Sequence, residues 1–239
     1  MFWWKLTKLI DISFDTFLLS AFLKGTAAGV EHRTVLQNLK CEYIVDVGAN
    51  RGQFALISRR IFPLARIHAF EPLEEPAQIF KNIFSNDANT TFYPYAIGRE
   101  KTFSTIHVTK DDDSSSLLPI SAAQSDMFPG TAEKETRQVA VLPLSRVLQD
   151  TSIPPASLLK IDVQGFELEV LRGSEDVLSK FSHLYIECSF IELYEGQALA
   201  HQVIDWLGQR NFILIGVYNI YYAKNGAAIQ GDFLFGHRN

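Results

Sequence analysis

One stretch near residue 50 constrains the fold more than any other part of the 239-residue chain. Tyr43 to Val47 is a short apolar run, rich in β-branched residues and containing one acid, which is typical of a buried strand. Gly48 and Gly52 follow, and glycine lets a backbone turn sharply and approach a ligand closely. Residues 53–61 then carry apolar side chains at helical spacing. Strand, glycine turn and helix form the first unit of a doubly wound α/β fold, whose ligands bind at the carboxyl ends of the strands.

A second acid lies at the end of the second predicted strand. Residues 66–70 form another apolar run, and Glu71 ends it. An acid at the end of the second strand can accept hydrogen bonds from both ribose hydroxyls of a nucleoside. The sequence therefore predicts an adenosine pocket at this edge of the sheet, with a plain strand–helix–strand crossover as the alternative.

The turn lacks the residues that hold phosphate groups. Dinucleotide sites use G-x-G-x-x-G, whereas this chain, counted from Gly48, has Asn50 and Gln53 at the second and third glycine positions. A Gly-Lys-Ser/Thr phosphate loop is also absent from the sequence. A ligand with adenosine and no phosphates fits this turn better, and S-adenosylmethionine is the commonest one. The residues that would then face its amino-acid part are Asp46, Gly48, Asn50 and Gly52.

Composition limits the class of protein. Charged residues make up 21% and hydrophobic residues 47% of the chain, as in an ordinary globular enzyme with one sizeable core. The net charge of -5 argues against a nucleic-acid partner. Cys41 and Cys188 form neither a disulfide framework nor a zinc spacing, so we predict buried, reduced thiols in a cytoplasmic protein.

Strands and helices alternate after the first unit, which argues for one α/β sheet with helices on both faces. Further strands are predicted near residues 91–95, 157–163, 184–188, 212–218 and, as a short last strand, 231–235. Further helices are predicted near residues 75–85, 166–172 and 201–210. A β-rich insertion is predicted at residues 101–108 and 137–142, with a long polar loop at 111–130 between its two parts. Glu192 and Tyr194 follow the fifth strand and are predicted as exposed loop residues, with the border of an acceptor pocket as the alternative.

The polar loop carries three consecutive acids, Asp111 to Asp113, followed by Ser114 to Ser116. A calcium site would need further carboxylates at a set spacing, so we predict a solvated loop and no metal site. The serines are candidates for contact with a polar acceptor when the loop closes.

The first 40 residues are predicted as a helical extension, and residues 41–239 as the catalytic domain. Several apolar side chains can share one helical face: Phe2, Trp3, Leu6, Leu9, Ile10, Phe14 and Phe17. Charged residues interrupt the stretch too often for a membrane span or a signal peptide. Three possibilities stay open for this segment. Its apolar face can pack on the domain or on a second subunit of a homo-oligomer, it can lie peripherally on the inner surface of a membrane, or the segment can be disordered.

A second informative segment covers residues 158–173. A buried strand carries Lys160 and Asp162 to its carboxyl end, and Gly165 allows a turn into the next helix. In a doubly wound sheet this fourth strand neighbours the first at the switch point. Asp162 is therefore predicted beside the reactive end of the cofactor.

With these motifs the chain resembles the FkbM family of S-adenosylmethionine-dependent methyltransferases. The resemblance covers roughly residues 41–237 and rests on Asp46-Val-Gly-Ala-Asn-Arg-Gly52, Phe70-Glu-Pro72, Asp113-Ser-Ser-Ser-Leu117 and Lys160-Ile-Asp-Val-Gln-Gly-Phe-Glu167. It implies a class I, Rossmann-like methyltransferase fold: a seven-stranded, mostly parallel sheet with an antiparallel last strand and helices on both faces. It also implies methylation of a hydroxyl on a sugar, a glycan or a secondary metabolite.

The resemblance also implies site residues. The cofactor positions are Asp46, Gly48, Asn50, Gly52, Glu71 and Pro72. The chain departs from the family pattern at Gln164, which stands where Glu is frequent in Asp-x-Glu-Gly-x-Glu. This departure removes one carboxylate and leaves the role of that position open.

Methyl transfer to an alcohol calls for a base, which typically adds about 10²–10⁴-fold to the rate. Asp162 is the first candidate and Glu187, at the end of the fifth strand, is the second. Either carboxylate could instead bind the amino group of the cofactor, a backbone N–H or Lys160. Lys160 is a candidate for orienting a carboxylate or the acceptor, and equally for a plain ion pair. Three other functions stay open: N-methylation, nucleotide-linked oxidoreduction and cofactor binding without catalysis.

Overall fold

A computed structural model describes residues 15–110 and 112–238 of the chain. Its helices are α1 (Thr16–Leu23), α2 (Arg33–Gln37), α3 (Gln53–Ile61), α4 (Glu74–Ile83), α5 (Ala122–Met127), α6 (Leu144–Val147), α7 (Glu167–Gly173), α8 (Glu175–Leu178) and α9 (Ala200–Gly208). Its strands are β1 (Tyr43–Val47), β2 (Arg66–Phe70), β3 (Thr90–Tyr93), β4 (Ala96–Ile97), β5 (Thr102–Thr109), β6 (Glu133–Leu142), β7 (Ser157–Ile161), β8 (His183–Ser189), β9 (Phe212–Tyr222) and β10 (Ala228–His237).

Seven of the strands form one sheet in the order β3-β2-β1-β7-β8-β10-β9. β1 pairs in parallel with β2 on one side and with β7 on the other, and β10 is antiparallel to both β8 and β9. The predicted class I fold is confirmed, including the antiparallel last strand. The register places Asp46 directly beside Lys160, so the two predicted motifs meet at the switch point of the sheet.

Helices cover both faces of this sheet because its central strands are apolar on both sides. Every residue of β1 and of β7 is buried. Tyr43 and Val45 of β1 belong to a core that α6–α9 complete, whereas Ile44 belongs to a second core that α1–α4 complete. Near-continuous apolar runs of this kind are expected of parallel strands buried on both faces.

Some boundaries differ from the sequence-based predictions. The predicted polar loop contains α5, whose first turn is capped because the Ser121 side chain accepts a hydrogen bond from the Gln124 N–H. The last strand is not short: it runs over ten residues, because β9 and β8 pair with it along most of its length. The insertion forms a separate three-stranded sheet in the order β4-β6-β5. Both cysteines are buried, and burial raises the pKa of Cys41 to about 12.

Residues 15–40 share the core of the domain. Leu18 and Ala21 of α1 and Val35 and Leu36 of α2 are buried against α3 and β1. Asp15 caps α1 by accepting hydrogen bonds from two of its backbone N–H groups. Most of the face predicted to contact a membrane or a second subunit lies in residues 1–14, outside the described residues, so that contact stays a prediction. In the described part of the chain, no helix has the length and apolar character needed to cross a membrane.

Candidate functional site

A cavity of about 500 Å³ opens at the carboxyl ends of β1, β2, β7 and β8. Cavities of this volume are typical of small-molecule sites. The predicted site residues that line it are Gly48, Asn50, Glu71, Pro72, Lys160, Asp162 and Glu187. The other two predicted cofactor positions do not line it: Asp46 is fully buried, and Gly52 is the residue that precedes α3.

The glycine turn owes its shape to left-handed backbone conformations at Gly48, Asn50 and Gly52, with φ angles of 78°, 45° and 94°. A Cβ on Gly48 would lie 1.7 Å from the carbonyl oxygen of Asp162. Gly48 is therefore required twice, by its dihedral angle and by the close approach of the β7 end. Asp162 itself lies just beyond β7, which ends at Ile161 and not at the predicted Val163.

Glu71 is held in a fixed orientation by backbone donors. The Asn50 N–H donates to its Oε2 at 3.0 Å and the Leu73 N–H to its Oε1 at 2.7 Å. Asn50 is itself fixed, because the Gln53 side-chain amide donates to its Oδ1 at 3.1 Å. The residues at the second and third glycine positions of a dinucleotide motif thus serve here to lock the turn onto the acid at the end of β2.

Lys160, on β7, contacts the glycine turn and the carboxylates at the ends of β1 and β7. Its Nζ lies 3.1 Å from Asp46 Oδ1 and 3.6 Å from Asp162 Oδ2, and it donates to the Gly48 carbonyl at 2.9 Å. Burial alone would lower the pKa of Lys160, but the two carboxylates outweigh burial and the net shift is upward. Lys160 is therefore a fixed cation in an ion-pair network, which was one of the two roles predicted for it.

Gln164 lies between the two carboxylates that are candidate bases and forms a hydrogen bond with each of them. Its Nε2 donates to Asp162 Oδ1 at 2.9 Å and to Glu187 Oε2 at 2.8 Å, and its Oε1 accepts from the Tyr194 hydroxyl at 2.7 Å. A glutamate cannot supply these two donors when it is ionised. The departure from the family pattern therefore has a physical role that the sequence did not disclose.

The structure corrects the prediction that Tyr194 is exposed. It is 2% exposed, not an exposed loop residue, because its ring packs in a small core with Leu193 and Ile229. Its hydroxyl, which donates to Gln164, also lies 3.1 Å from the Ser114 carbonyl oxygen, so the polar loop packs against the site. Glu192 is exposed, as predicted.

Burial raises the pKa of Glu187 well above its ordinary value, and the charge of Asp162 adds to that shift. Glu187 accepts a second hydrogen bond, at 2.8 Å, from the side-chain amide of Gln230. Both oxygens of Glu187 therefore already accept hydrogen bonds from side-chain amides of the described residues.

Gln164→Glu is expected to destabilise the protein by about 1–3 kcal/mol, because Asp162 and Glu187 lose a donor and gain a like charge. The new carboxyl would have its pKa raised by these neighbours, as Glu187 does. A carboxyl with a raised folded-state pKa stabilises the protein only while it is protonated. Urea denaturation of the wild type and of Gln164→Glu should therefore show a loss in the free energy of unfolding that grows as the pH rises from 5 to 8. Gln138→Glu, on the exposed face of β6, is the matched control. An equal loss of stability at pH 5 and at pH 8 would contradict charge repulsion as the cause of the destabilisation.

Further residues line the cavity from outside the predicted motifs, and they include polar-loop and N-terminal residues. Gln124 and Phe128 come from the predicted polar loop, and His32 comes from the segment before β1. Their positions depend on contacts between distant parts of the chain, and no local sequence pattern marks them.

Comparisons with known proteins agree with this architecture. A family model described as the methyltransferase FkbM domain matches residues 46–214. The 2-O-methyltransferase NoeI of Sinorhizobium fredii is 25% identical over 197 residues, which cover 77% of this chain and 79% of that protein. The 31-O-demethyl-FK506 methyltransferase FkbM of Streptomyces tacrolimicus is 28% identical over 166 residues, covering 56% of this chain and 60% of that protein. A solved structure of an uncharacterised Listeria monocytogenes protein superposes with a TM-score of 0.50 at 10% identity, covering 90% of this chain and 69% of that chain, which concerns the fold alone.

Proposed function

This chain belongs to the FkbM methyltransferase family, and we propose that it transfers a methyl group from S-adenosylmethionine to a hydroxyl oxygen of a small-molecule or glycan acceptor. The observation that carries the proposal is the charge of one cavity. Its wall holds five acids but only two basic residues: Glu31, Glu71, Asp113, Asp162 and Glu187 against His32 and Lys160. Lys160 is already paired with two carboxylates.

An acidic cavity suits the charges of this donor. A cleft lined by one sign of charge attracts ligands of the opposite sign, and S-adenosylmethionine carries a sulfonium and an ammonium group. The same wall would repel the pyrophosphate of a nicotinamide or flavin dinucleotide. The residues present therefore fit the proposed donor and count against the nucleotide-linked oxidoreductase.

The named residues then have separate tasks. Glu71, held by two backbone N–H groups, is proposed to accept the ribose hydroxyls. Asp162, already engaged by Gln164 and Lys160, is proposed to hold the amino group of the donor. The bound donor supplies an activated methyl group on its sulfonium sulfur. The turn from Gly48 to Gly52 fixes the direction in which that group points, and positioning of this kind can supply about 7–11 kcal/mol of a barrier.

Binding and labelling experiments test this proposal. Titration calorimetry should show binding of S-adenosylhomocysteine and none of NADH. Labelled methyl transfer onto extracted glycans, lipids and small metabolites should then place the label on oxygen. The reverse binding result would overturn the proposal, label on nitrogen would favour the N-methyltransferase, and binding without transfer would favour a non-catalytic protein.

Glu71→Gln is expected to weaken S-adenosylhomocysteine binding by about 10–100-fold, because hydrogen bonds to a charged group contribute about 1.5–3 kcal/mol. Calorimetric titration of the purified variant measures the loss. Glu74→Gln removes an exposed carboxylate only three residues away and should leave the dissociation constant unchanged. Equal affinities for the two variants would remove Glu71 from the donor site.

A further inference from the structure

His32 is a cavity residue from outside the family match, which covers residues 46–214. Its backbone is fixed next to the glycine turn, since the Gly29 N–H donates to the Gln53 carbonyl at 2.8 Å and the His32 N–H to the Gly29 carbonyl at 3.1 Å. A Cβ on Gly29 would lie only 2.9 Å from the His32 ring. The imidazole ring packs edge-on against Phe54 and Tyr185, with centroid distances of 5.3 Å and 5.6 Å. The ring is therefore held in place from several sides.

One nitrogen of this ring faces a buried polar cluster. Nδ1 lies 3.1 Å from the Tyr185 hydroxyl and 3.4 Å from Asp232 Oδ2. The Tyr185 hydroxyl donates to Asp232 at 3.0 Å, and Asn219 Nδ2 makes its shortest contact, 2.8 Å, to the same carboxylate. Asn219 Nδ2 lies farther from the phenol oxygen, at 3.3 Å, and from His32 Nδ1, at 3.4 Å, than from Asp232. Because the phenol proton points to Asp232, the phenol oxygen can accept the Nδ1–H of His32 at 3.1 Å. This chain of hydrogen bonds favours the tautomer with the proton on Nδ1 and the lone pair on Nε2.

The second ring nitrogen makes no hydrogen bond with any described residue. The two carboxylates predicted as bases are both engaged, Asp162 by Gln164 and Lys160, and Glu187 by Gln164 and Gln230. Each carboxylate already accepts hydrogen bonds from the described residues, whereas the lone pair of His32 Nε2 accepts none. Neutral imidazole is also the side chain best matched to proton transfer near neutral pH.

We propose that Nε2 of His32 is the general base, which takes the proton of the acceptor hydroxyl during methyl transfer. This inference rests on the proposed function. As the oxygen–carbon bond forms, the carbon–sulfur bond breaks and its electron pair stays on sulfur, which becomes a neutral thioether. The hydroxyl proton moves to Nε2, Asp232 stabilises the imidazolium through the Nδ1 side, and the proton then leaves to solvent. His32 thereby becomes a catalytic residue, with Asp232 and Tyr185 as positioning residues.

Acids predominate among the titratable groups around His32. The titratable groups on the elements around it are Glu31 in its own segment, Asp46 on β1, Lys160 and Asp162 at β7, Tyr185 and Glu187 on β8, and Asp232 on β10. Acids outnumber the single lysine in this set. The nearest of these acids to the ring is Asp232, 3.4 Å from Nδ1.

Kinetics on three variants test the proposal, with methyl glycosides of hexoses and 6-deoxyhexoses as acceptors and the best of them chosen for comparison. His32→Ala should lower kcat at saturating donor by about 10²–10⁴-fold and leave S-adenosylhomocysteine affinity within a factor of about 3. Added imidazole should restore part of the turnover. Asp232→Asn should lower kcat and displace the pH profile. His201→Ala, on the exposed side of α9, should match the wild type.

Results that contradict the role of His32 can be told apart from results that contradict the proposed function. Full turnover by His32→Ala would overturn the proposal, and so would a loss confined to donor affinity, which would mean that His32 grips the donor. Long-range ¹H–¹⁵N spectra of the wild-type complex with S-adenosylhomocysteine need no acceptor. They should show the Nδ1–H tautomer in the signals that His32→Ala removes, and the Nε2–H tautomer would overturn the proposal. Absence of S-adenosylhomocysteine binding by the wild type would instead contradict the proposed function itself.

Discussion

Lys160→Met is expected to lower the free energy of unfolding by about 3–5 kcal/mol, the cost of leaving a buried charge without its partner. Lys160 is 6% exposed and Asp46 0% exposed, with 3.1 Å between Nζ and Oδ1. Burial raises the pKa of Asp46 and Lys160 is the largest opposing influence, so this ion pair is the main compensation for its charge. Urea denaturation at pH 7, with a second measurement by thermal unfolding, gives the difference.

Two controls separate the buried pair from a general effect of removing a lysine. Lys134→Met removes an exposed lysine, 3.9 Å from its acid, and should change stability by less than about 0.5 kcal/mol. Combining Lys160→Met with Asp46→Leu removes both charges and should recover much of the loss, because an apolar replacement of a buried pair is often close to neutral. A loss below about 1 kcal/mol for Lys160→Met alone would contradict the role of the pair.

Gly48→Ala is expected to abolish donor binding and to destabilise the fold by at least about 4 kcal/mol, the range of severe backbone or core disruption. The new Cβ would lie 1.7 Å from the Asp162 carbonyl oxygen, so the ends of β1 and β7 would have to separate. Displacing a reacting group by about 1 Å can cost about 10²-fold in turnover. Calorimetric titration with S-adenosylhomocysteine and urea denaturation measure the two losses.

Gly226→Ala is the matched control for the backbone angle. Gly226 has φ of +84°, close to the +78° of Gly48, but no atom lies within 4 Å of a Cβ built there. It should show only the strain of a left-handed alanine, about 1–3 kcal/mol, with full donor affinity. If both variants lost the same stability and bound the donor equally well, the close approach at Gly48 would have no consequence.

The first unit of the fold was predictable because its signals are local. The apolar run of β1, the glycines after it and the helical spacing of α3 all lie within residues 43–61, and their bounds agree with the structure. The helix α5 was not predictable in the same way, since its segment has a polar, loop-like composition and is held by contacts with Tyr194. The full length of β10 depends on its two neighbouring strands.

The sequence by itself determined the fold class, the ligand edge of the sheet and the residues of the two motifs. These follow from strand and helix periodicity, from the dihedral freedom of glycine and from the ends of parallel strands meeting at one edge. Only the tertiary structure decided that Lys160 is locked between Asp46 and Asp162, that Gln164 bridges Asp162 and Glu187, and that His32 joins the site. Partners brought together from distant segments set these roles. A side chain's chemistry depends on the charges and hydrogen bonds around it, and sequence spacing does not record those neighbours.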